Sequence, residues 1–361
     1  VAGAAAVAAA AMLSWAAKLE ARLPGMSGGF AMGKEDYDWL LRESLLLGFD
    51  SDSLLALGQR VFNETEALMR RRTAERDGYE REHPPGSPAD REPPDTWSKR
   101  DVLASWQAEI DSMRRWTEAA GIATVPEDIG RLVAAETPPA LRAVMPGLAM
   151  EPAPALSGSA DGVCFVGAVP EPMSRADQTR TYNEALRRGH RGGVVHEGFP
   201  GHFLQLSVAR RNPSFIRRLH YDPCLVEGKA LYCEQMAVEQ GLYGKEQFPE
   251  LRWLGGVRFR AARVILDVKL HTGLMGFEDA CRYLQWHFGV DTAYARAEVR
   301  RYCLSPTQPM SYLVGKLQLI DLREELRRRE GRRFSLRRFH DRLLVEGSIP
   351  VGLVRRKLLG R

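Results

Sequence analysis

Val194-Val195-His196-Glu197-Gly198-Phe199-Pro200-Gly201-His202-Phe203-Leu204-Gln205 sets two imidazoles on either side of one carboxylate, with apolar residues flanking both. This is the residue set of a catalytic zinc site: neutral nitrogen ligands, plus an unligated carboxylate able to take a proton from an activated water. In the short motif His-Glu-x-x-His, a spacing of four puts both imidazoles on one helix face. Here the second histidine comes six positions after the first. At ~100° per residue, six steps turn the side chain by about 240°. An unbroken helix therefore cannot aim both rings at one ion. Pro200-Gly201 lies in the gap, and proline removes a backbone donor and kinks a helix. The expectation is a kink that swings His202 back towards His196. The competing reading is two unrelated histidines beside a helix break.

A third ligand is sought downstream, because catalytic zinc takes three protein ligands and His-His-Glu is one standard set. Leu225-Val226-Glu227-Gly228-Lys229-Ala230-Leu231-Tyr232-Cys233-Glu234-Gln235 supplies a candidate in Glu227, near the start of a predicted helix and beside a glycine that lets backbone come close. Glu234 follows two turns along the same face, where it can accept the remaining ring N–H of a ligating histidine. The competing reading is a surface helix with two solvated glutamates.

Together these stretches resemble the bacterial "domain of unknown function 885" family, which is grouped with the gluzincin metallopeptidases. The resemblance rests on His196-Glu197, Pro200-Gly201-His202 and Gln205, then on Glu227-Gly228, Ala230-Leu231-Tyr232 and Glu234. It extends upstream to Phe30-Ala31-Met32-Gly33-Lys34-Glu35-Asp36-Tyr37. Downstream it takes in Arg301-Tyr302, Pro306, Gln308, Ser311-Tyr312, Gly315, Leu322-Arg323, Phe339-His340-Asp341, Gly347 and Pro350. The resemblance implies one zinc ion held by His196, His202 and Glu227, with Glu197 as the catalytic carboxylate, and Glu234 and Gln205 are the candidates to support the ligands. It implies a mainly α, multi-helical gluzincin-like fold of two lobes around a cleft, with a small β element near the active site. The sequence departs from the family at Phe203, where members often carry histidine, and at Lys229, where they often carry tryptophan.

Composition sets wide bounds. The 361 residues are enough for a large core, and 44% hydrophobic with 27% charged residues is ordinary for a globular protein. The net charge is +5, with arginine concentrated at Arg327-Arg328-Arg329, Arg332-Arg333 and Arg337-Arg338. These arginines alternate with Glu324, Glu325, Glu330 and Asp341, as on a solvated helix face, so no nucleic-acid partner is expected. Five cysteines without a Cys-x-x-Cys pair argue against a disulfide framework and suit a reducing compartment.

Val1 to Ala17 is alanine-rich, too short and too weakly apolar to span a bilayer, and Met12 to Leu23 is expected to pack on the core. A cytoplasmic location is expected. Export stays open, because the chain begins at Val1 and its native start is expected upstream. Leucine spacing predicts helices over 34–47 and 51–72, and a charged, proline-rich stretch over 73–97 reads as a linker. The next helix, over 98–120, carries Trp106, Ile110, Met113 and Trp116. The domain reading is an N-terminal helical lobe over 1–122 and a zinc-binding helical lobe over 123–361. Gly162 to Val169 is the one convincing strand. It is expected either to lie along the cleft, where it can pair with an extended peptide, or to be a structural edge strand. Helices then resume to the C-terminus.

Peptide hydrolysis develops negative charge on the attacked carbonyl oxygen, and a tyrosine hydroxyl is a common donor to it. Tyr312 is the first candidate and Tyr302 the second. Arg301, Lys316 and Arg323 are candidates to pair with a peptide's terminal carboxylate. The expected activity is that of a zinc-dependent metallohydrolase, a peptidase acting on peptide substrates with Glu197 as general base. The alternatives are a catalytically inactive metal-binding helical protein and a basic nucleic-acid- or partner-binding protein. The oligomeric state is open.

Overall fold

A computed structural model describes residues 2–25, 28–83, 91–142, 145, 147–187 and 189–360. Helix starts follow the local chemistry of N-capping. Asp50 accepts from Ser53 N–H, Asp222 from Leu225 N–H and Asp291 from Tyr294 N–H, while Ser98 and Asp101 cap each other reciprocally. The chain opens with α1 (Ala2–Arg22), α2 (Lys34–Trp39, continued by a π turn over Leu40–Ser44), α3 (Ser51–Glu82) and α4 (Lys99–Ala119). Three short strands follow: β1 (Leu132–Ala135), β2 (Leu148–Glu151) and β3 (Gly162–Val166). Next come α5 (Arg175–Leu186), α6 (Arg191–Glu197), α7 (His202–Ala209), α8 (Phe215–Leu219), α9 (Pro223–Glu239) and α10 (Glu250–His271). The chain ends with α11 (Phe277–Phe288), α12 (Thr292–Leu304), α13 (Gln308–Glu330), α14 (Leu336–Leu344) and α15 (Val351–Leu359). The protein is mainly helical, with a small sheet.

Apolar side chains gather in three clusters. The first joins α4, β1, α6, α7, α9, the second half of α13, α14 and α15 through residues such as Ile110, Leu132, Val194, Leu204, Leu225, Leu322 and Leu343. The second joins α2, α3, α10 and the start of α13 through Tyr37, Leu54, Phe62, Val264 and Leu313. The third packs α11 and α12 on the far side of α10 through Leu284, Val299 and Leu266. Residues from either side of position 122 share the first two clusters. The C-terminal arginines pair internally: Arg338 and Arg342 meet Glu330, and Arg355 meets Asp321.

Four sequence expectations are corrected. The stretch read as a linker over 73–97 is helical as far as Glu82, because its charges pair along one helix, as in Arg76 with Glu80. Residues 84–90 lie outside the described set, and 91–97 form neither helix nor strand. Met12 to Leu23 does not pack on the core: Met12, Leu13, Trp15 and Leu23 are all more than half exposed. The helical stretch Gly3–Gly25 is long and apolar enough, by length and composition, to cross a membrane. Finally, β3 is no edge strand. It lies between β1, which it pairs in parallel, and β2, which it pairs antiparallel, so both its edges are taken. It cannot add a substrate strand. β1 and β2, four residues each, escaped the sequence because their pairing is non-local.

Candidate metal and substrate site

The first half of the site is made by a break between α6 and α7. The kinked helix expected from Pro200 is in fact two helices, with His196 in the last turn of the first and His202 at the start of the second. The connection runs through Gly198 and a cis Phe199–Pro200 bond. Gly201 has to be glycine, since a Cβ there would lie 1.8 Å from the His196 carbonyl oxygen. Lys229 of α9, buried, donates its ammonium to the carbonyls of Pro200 and Gly201 and so ties α9 to the break. Val194, Val195, Phe199, Phe203 and Leu204 are buried and hold both helix ends in the core. Phe203 stacks edge-on against Phe199, its ring centroid 5.4 Å away. The imidazoles of His196 and His202 end 4.8 Å apart, centroid to centroid, and perpendicular.

Glu227 reaches them from α9. Oε2 lies 3.3 Å from His202 Nε2 and 3.9 Å from His196 Nε2. Tetrahedral bonds of about 2.0–2.2 Å would separate two zinc ligands by about 3.4 Å, so the spacing suits a small divalent cation. One donor atom from each of the three residues lies within 4.8 Å of the others. Glu234 Oε1 stands 2.7 Å from His196 Nδ1. With that nitrogen donating its hydrogen to Glu234, the Nε2 lone pair faces the Glu227 carboxylate, and two acceptors so placed call for a cation between them. The electrostatics agree. Burial disfavours charge on His196, but its hydrogen bonds to Glu227 and Glu234 outweigh this and push its pKa up to about 10. Burial would raise Glu227, yet the two imidazoles hold it below the usual carboxylate range. A proton is drawn to the position a metal cation would neutralise. His202 Nδ1 is buried without a hydrogen-bond partner among the described residues.

The second half comes from α10 and α13. α9 and α13 cross with their main chains in contact: a Cβ on Gly228 would lie 2.4 Å from Gly315 Cα, and one on Gly315 would lie 1.7 Å from the Cys224 carbonyl oxygen. Tyr312 precedes Gly315 by about one turn, and its hydroxyl accepts from Gln308 Nε2 at 3.2 Å. Arg301 Nη1 donates to Gln308 Oε1 at 2.8 Å, which fixes the way the amide faces and leaves the Tyr312 O–H free to donate elsewhere. Burial first, then the nearby Glu227, raises the Tyr312 pKa and keeps it a donor. A pocket of about 370 Å³ takes His196, Glu197 and Glu234 from α6 and α9, and Arg260, Arg263 and Tyr312 from α10 and α13. Glu197 makes no hydrogen bond or ion pair among the described residues, so its carboxylate is available. The sheet adjoins this pocket. Leu148 of β2 packs against Gly193, and burial together with Glu197 pushes the Cys164 thiol of β3 up to about 12.

The remaining expectations fare differently. Tyr302 is fully buried, donating to Glu298 at 2.7 Å and accepting from Arg263 at 3.1 Å, so its hydroxyl is committed to the core. Arg301 pairs with Glu298 and stands behind Tyr312 rather than in the pocket. Lys316 is buried with its ammonium 4.4 Å from the centre of the Trp253 ring, and burial pushes its pKa down to about 7. Arg323 is spent on Glu239 and Glu324. Gln205 donates to Ser348 at 3.3 Å and not to either histidine. His340 is a packing residue between Ile122 O and Tyr232. Reading the sequence missed Arg260 and Arg263, and it missed Tyr221. Half of Tyr221 is exposed, but its hydroxyl end is desolvated, and this burial first, then the nearby Glu227, Tyr312 and Glu197, hold its ionisation far above the usual range. Its only signal was its place next to the Asp222 cap of the glutamate-bearing helix.

Comparison with known proteins locates the fold. A candidate lipoprotein from Colwellia psychrerythraea superposes with a TM-score of 0.77 at 23% identity, covering 94% of this chain and 58% of its own. A candidate lipoprotein of unknown function from Shewanella oneidensis gives 0.74 at 24% identity, covering 96% of this chain and 63% of its own. The chain therefore spans less than two thirds of either relative. No curated protein matches the sequence. The family model for bacterial proteins of unknown function, DUF885, matches residues 1–358, and the chain belongs to that family.

Proposed function

We propose that the protein is a zinc-dependent hydrolase of the gluzincin metallopeptidase kind, cleaving peptide bonds with water. The observation that carries this reading is the convergence of His196, His202 and Glu227 within 4.8 Å, beside a carboxylate, Glu197, that has no other partner among the described residues. A zinc ion held by those three side chains would supply a Lewis acid that polarises a carbonyl and makes a nearby water acidic. Glu197 takes the proton from that water and returns it to the leaving amine nitrogen. Tyr312, its lone pair occupied by Gln308, directs its O–H to the oxygen on which charge develops. Glu234 keeps the His196 ring in the tautomer that presents Nε2 inward.

The same reading extends to location. The related structures are of candidate lipoproteins, and α1 offers an exposed, apolar helix of membrane-spanning length. We place the protein at the cell envelope, and fractionation of cells carrying the full-length gene product tests this: recovery only in the cytosol overturns it.

The decisive experiment pairs metal analysis with a panel of blocked and unblocked peptides. One zinc per chain and hydrolysis lost on chelation are expected. Glu197→Gln should keep the metal and lose turnover by about 10³-fold. Full turnover in that variant, or no stoichiometric metal in the wild type, overturns the reading.

A further inference from the structure

Among the described residues lining the pocket, one cation makes no hydrogen bond or ion pair. Arg260 and Arg263 sit one turn apart on α10 and both line the pocket with His196 and Glu197. Arg263 is accounted for: its guanidinium meets Glu298 at 3.0 Å and donates from Nε to Tyr302 at 3.1 Å. Arg260 makes no hydrogen bond or ion pair among the described residues, and its Nε is buried without a partner. The face of Tyr312 lies beside it, the ring centre 5.7 Å from the guanidinium carbon, and the Glu234 carboxylate, whose Oε1 is taken by His196, attracts it through space without a hydrogen bond. A buried guanidinium N–H without an acceptor leaves a desolvation cost uncompensated, and of the described arginines whose Nε is so placed (Arg210, Arg218, Arg258 and Arg260) only Arg260 lines this pocket. A group lodged in this pocket could supply the acceptors.

We propose that Arg260 is the subsite for a carboxylate of the substrate, with Arg263 and Tyr312 forming the wall against which it lies. A guanidinium presents parallel N–H donors matched to the two oxygens of a carboxylate, and it keeps its charge at every working pH. The proposal rests on the hydrolase reading for its substrate class, a peptide. It names what that peptide must carry: a free carboxylate, either at its C-terminus or on an aspartate or glutamate side chain next to the bond that is cut. The 370 Å³ pocket is small, so the carboxylate and the scissile bond belong to neighbouring residues.

The test measures binding first, so it does not depend on turnover. Metal-free protein is titrated with acetyl-trialanine as free acid and as amide, then with acetyl-Ala-Glu-amide against acetyl-Ala-Gln-amide. Wild type should prefer one of the acids by about 10-fold or more over its neutral partner. Arg260→Met should erase that preference, and Arg260→Lys should restore part of it. A preference for the trialanine acid identifies the terminal carboxylate; a preference for the glutamate peptide identifies the side chain. In steady-state assays the Met variant should raise KM for the acid and leave KM for the amide within about 2-fold. No preference in the wild type, or a preference that survives in Arg260→Met, overturns the proposal. A protein that keeps the preference but hydrolyses nothing counts against the hydrolase reading and leaves this one standing.

Discussion

The two halves of the pocket are built on opposite terms. On the side of α6, α7 and α9 the inward-facing ligand candidates and their supports are matched against one another, His196 with Glu234 and Glu227, His202 Nε2 with Glu227 and Lys229 with the carbonyls of the helix break, and Glu197 is left unspent beside them. On the side of α10 and α13, Tyr312 keeps a free O–H and Arg260 keeps a guanidinium with no hydrogen bond among the described residues, its Nε buried. The first half is arranged to hold a fixed ion and the second to meet something that comes and goes. Pre-organised ligands lose little on binding a cation, whereas unspent donors are what a transient anion needs.

The harshest way to break this contrast is to pry the halves apart. Gly315→Ala puts a Cβ onto the Cys224 carbonyl and forces α13 away from α9. A stability loss on the order of 3 kcal/mol is expected, read by urea melts, with metal affinity and turnover falling together. Tyr312→Phe addresses the α10–α13 side alone. It should cost about 10²-fold in kcat while metal content stays at wild type, since one donor to a developing oxyanion is removed. Glu234→Gln addresses the other side alone. It should weaken metal binding by about 10-fold, measured by competition with a chelator, and leave the selectivity for carboxylate peptides unchanged. The smallest effect lies outside both halves. Burial pushes the His340 pKa down to about 3, and its Nδ1 already donates to Ile122 O while Nε2 accepts from Tyr232. The unfolded chain takes up a proton at this residue near pH 6.5 and the folded one refuses it until near pH 3. Stability is therefore intact above pH 6.5 and drains away as pH falls, by about 1 kcal/mol between pH 6.5 and 5.5. His340→Gln should flatten that slope, as followed by thermal melts with chelator present.

The same contrast explains what could be read from the sequence. His196, His202 and Glu227 stand within about thirty residues of one another, so spacing and one Pro-Gly break were enough to bring them together on paper. The glycine beside Glu227 was also legible as a point of close backbone approach, and the structure puts Gly315 there. Arg260 was hidden, because an arginine on a long amphipathic helix looks like a solvated charge until the fold shows what faces it. Arg301 and Tyr302 were drawn into the site by their chemistry, but Glu298, one turn away, engages them both. The helical part of the stretch 73–97, up to Glu82, escapes the sequence for a related reason: a dense charge run on a helix and one in a loop have the same composition, and pairs such as Arg76 with Glu80 separate them only in the fold.

The bare crossing of α9 and α13 has one more consequence. No layer of side chains lies between the two main chains where they touch, so there is nothing compliant there to absorb sliding or rotation. Glu227 and Tyr312 ride on a single stiff beam, and thermal motion carries them together. Any widening of the pocket to admit a substrate therefore has to come from its other walls, α6 with Glu197 or α10 with Arg260, moving against that beam.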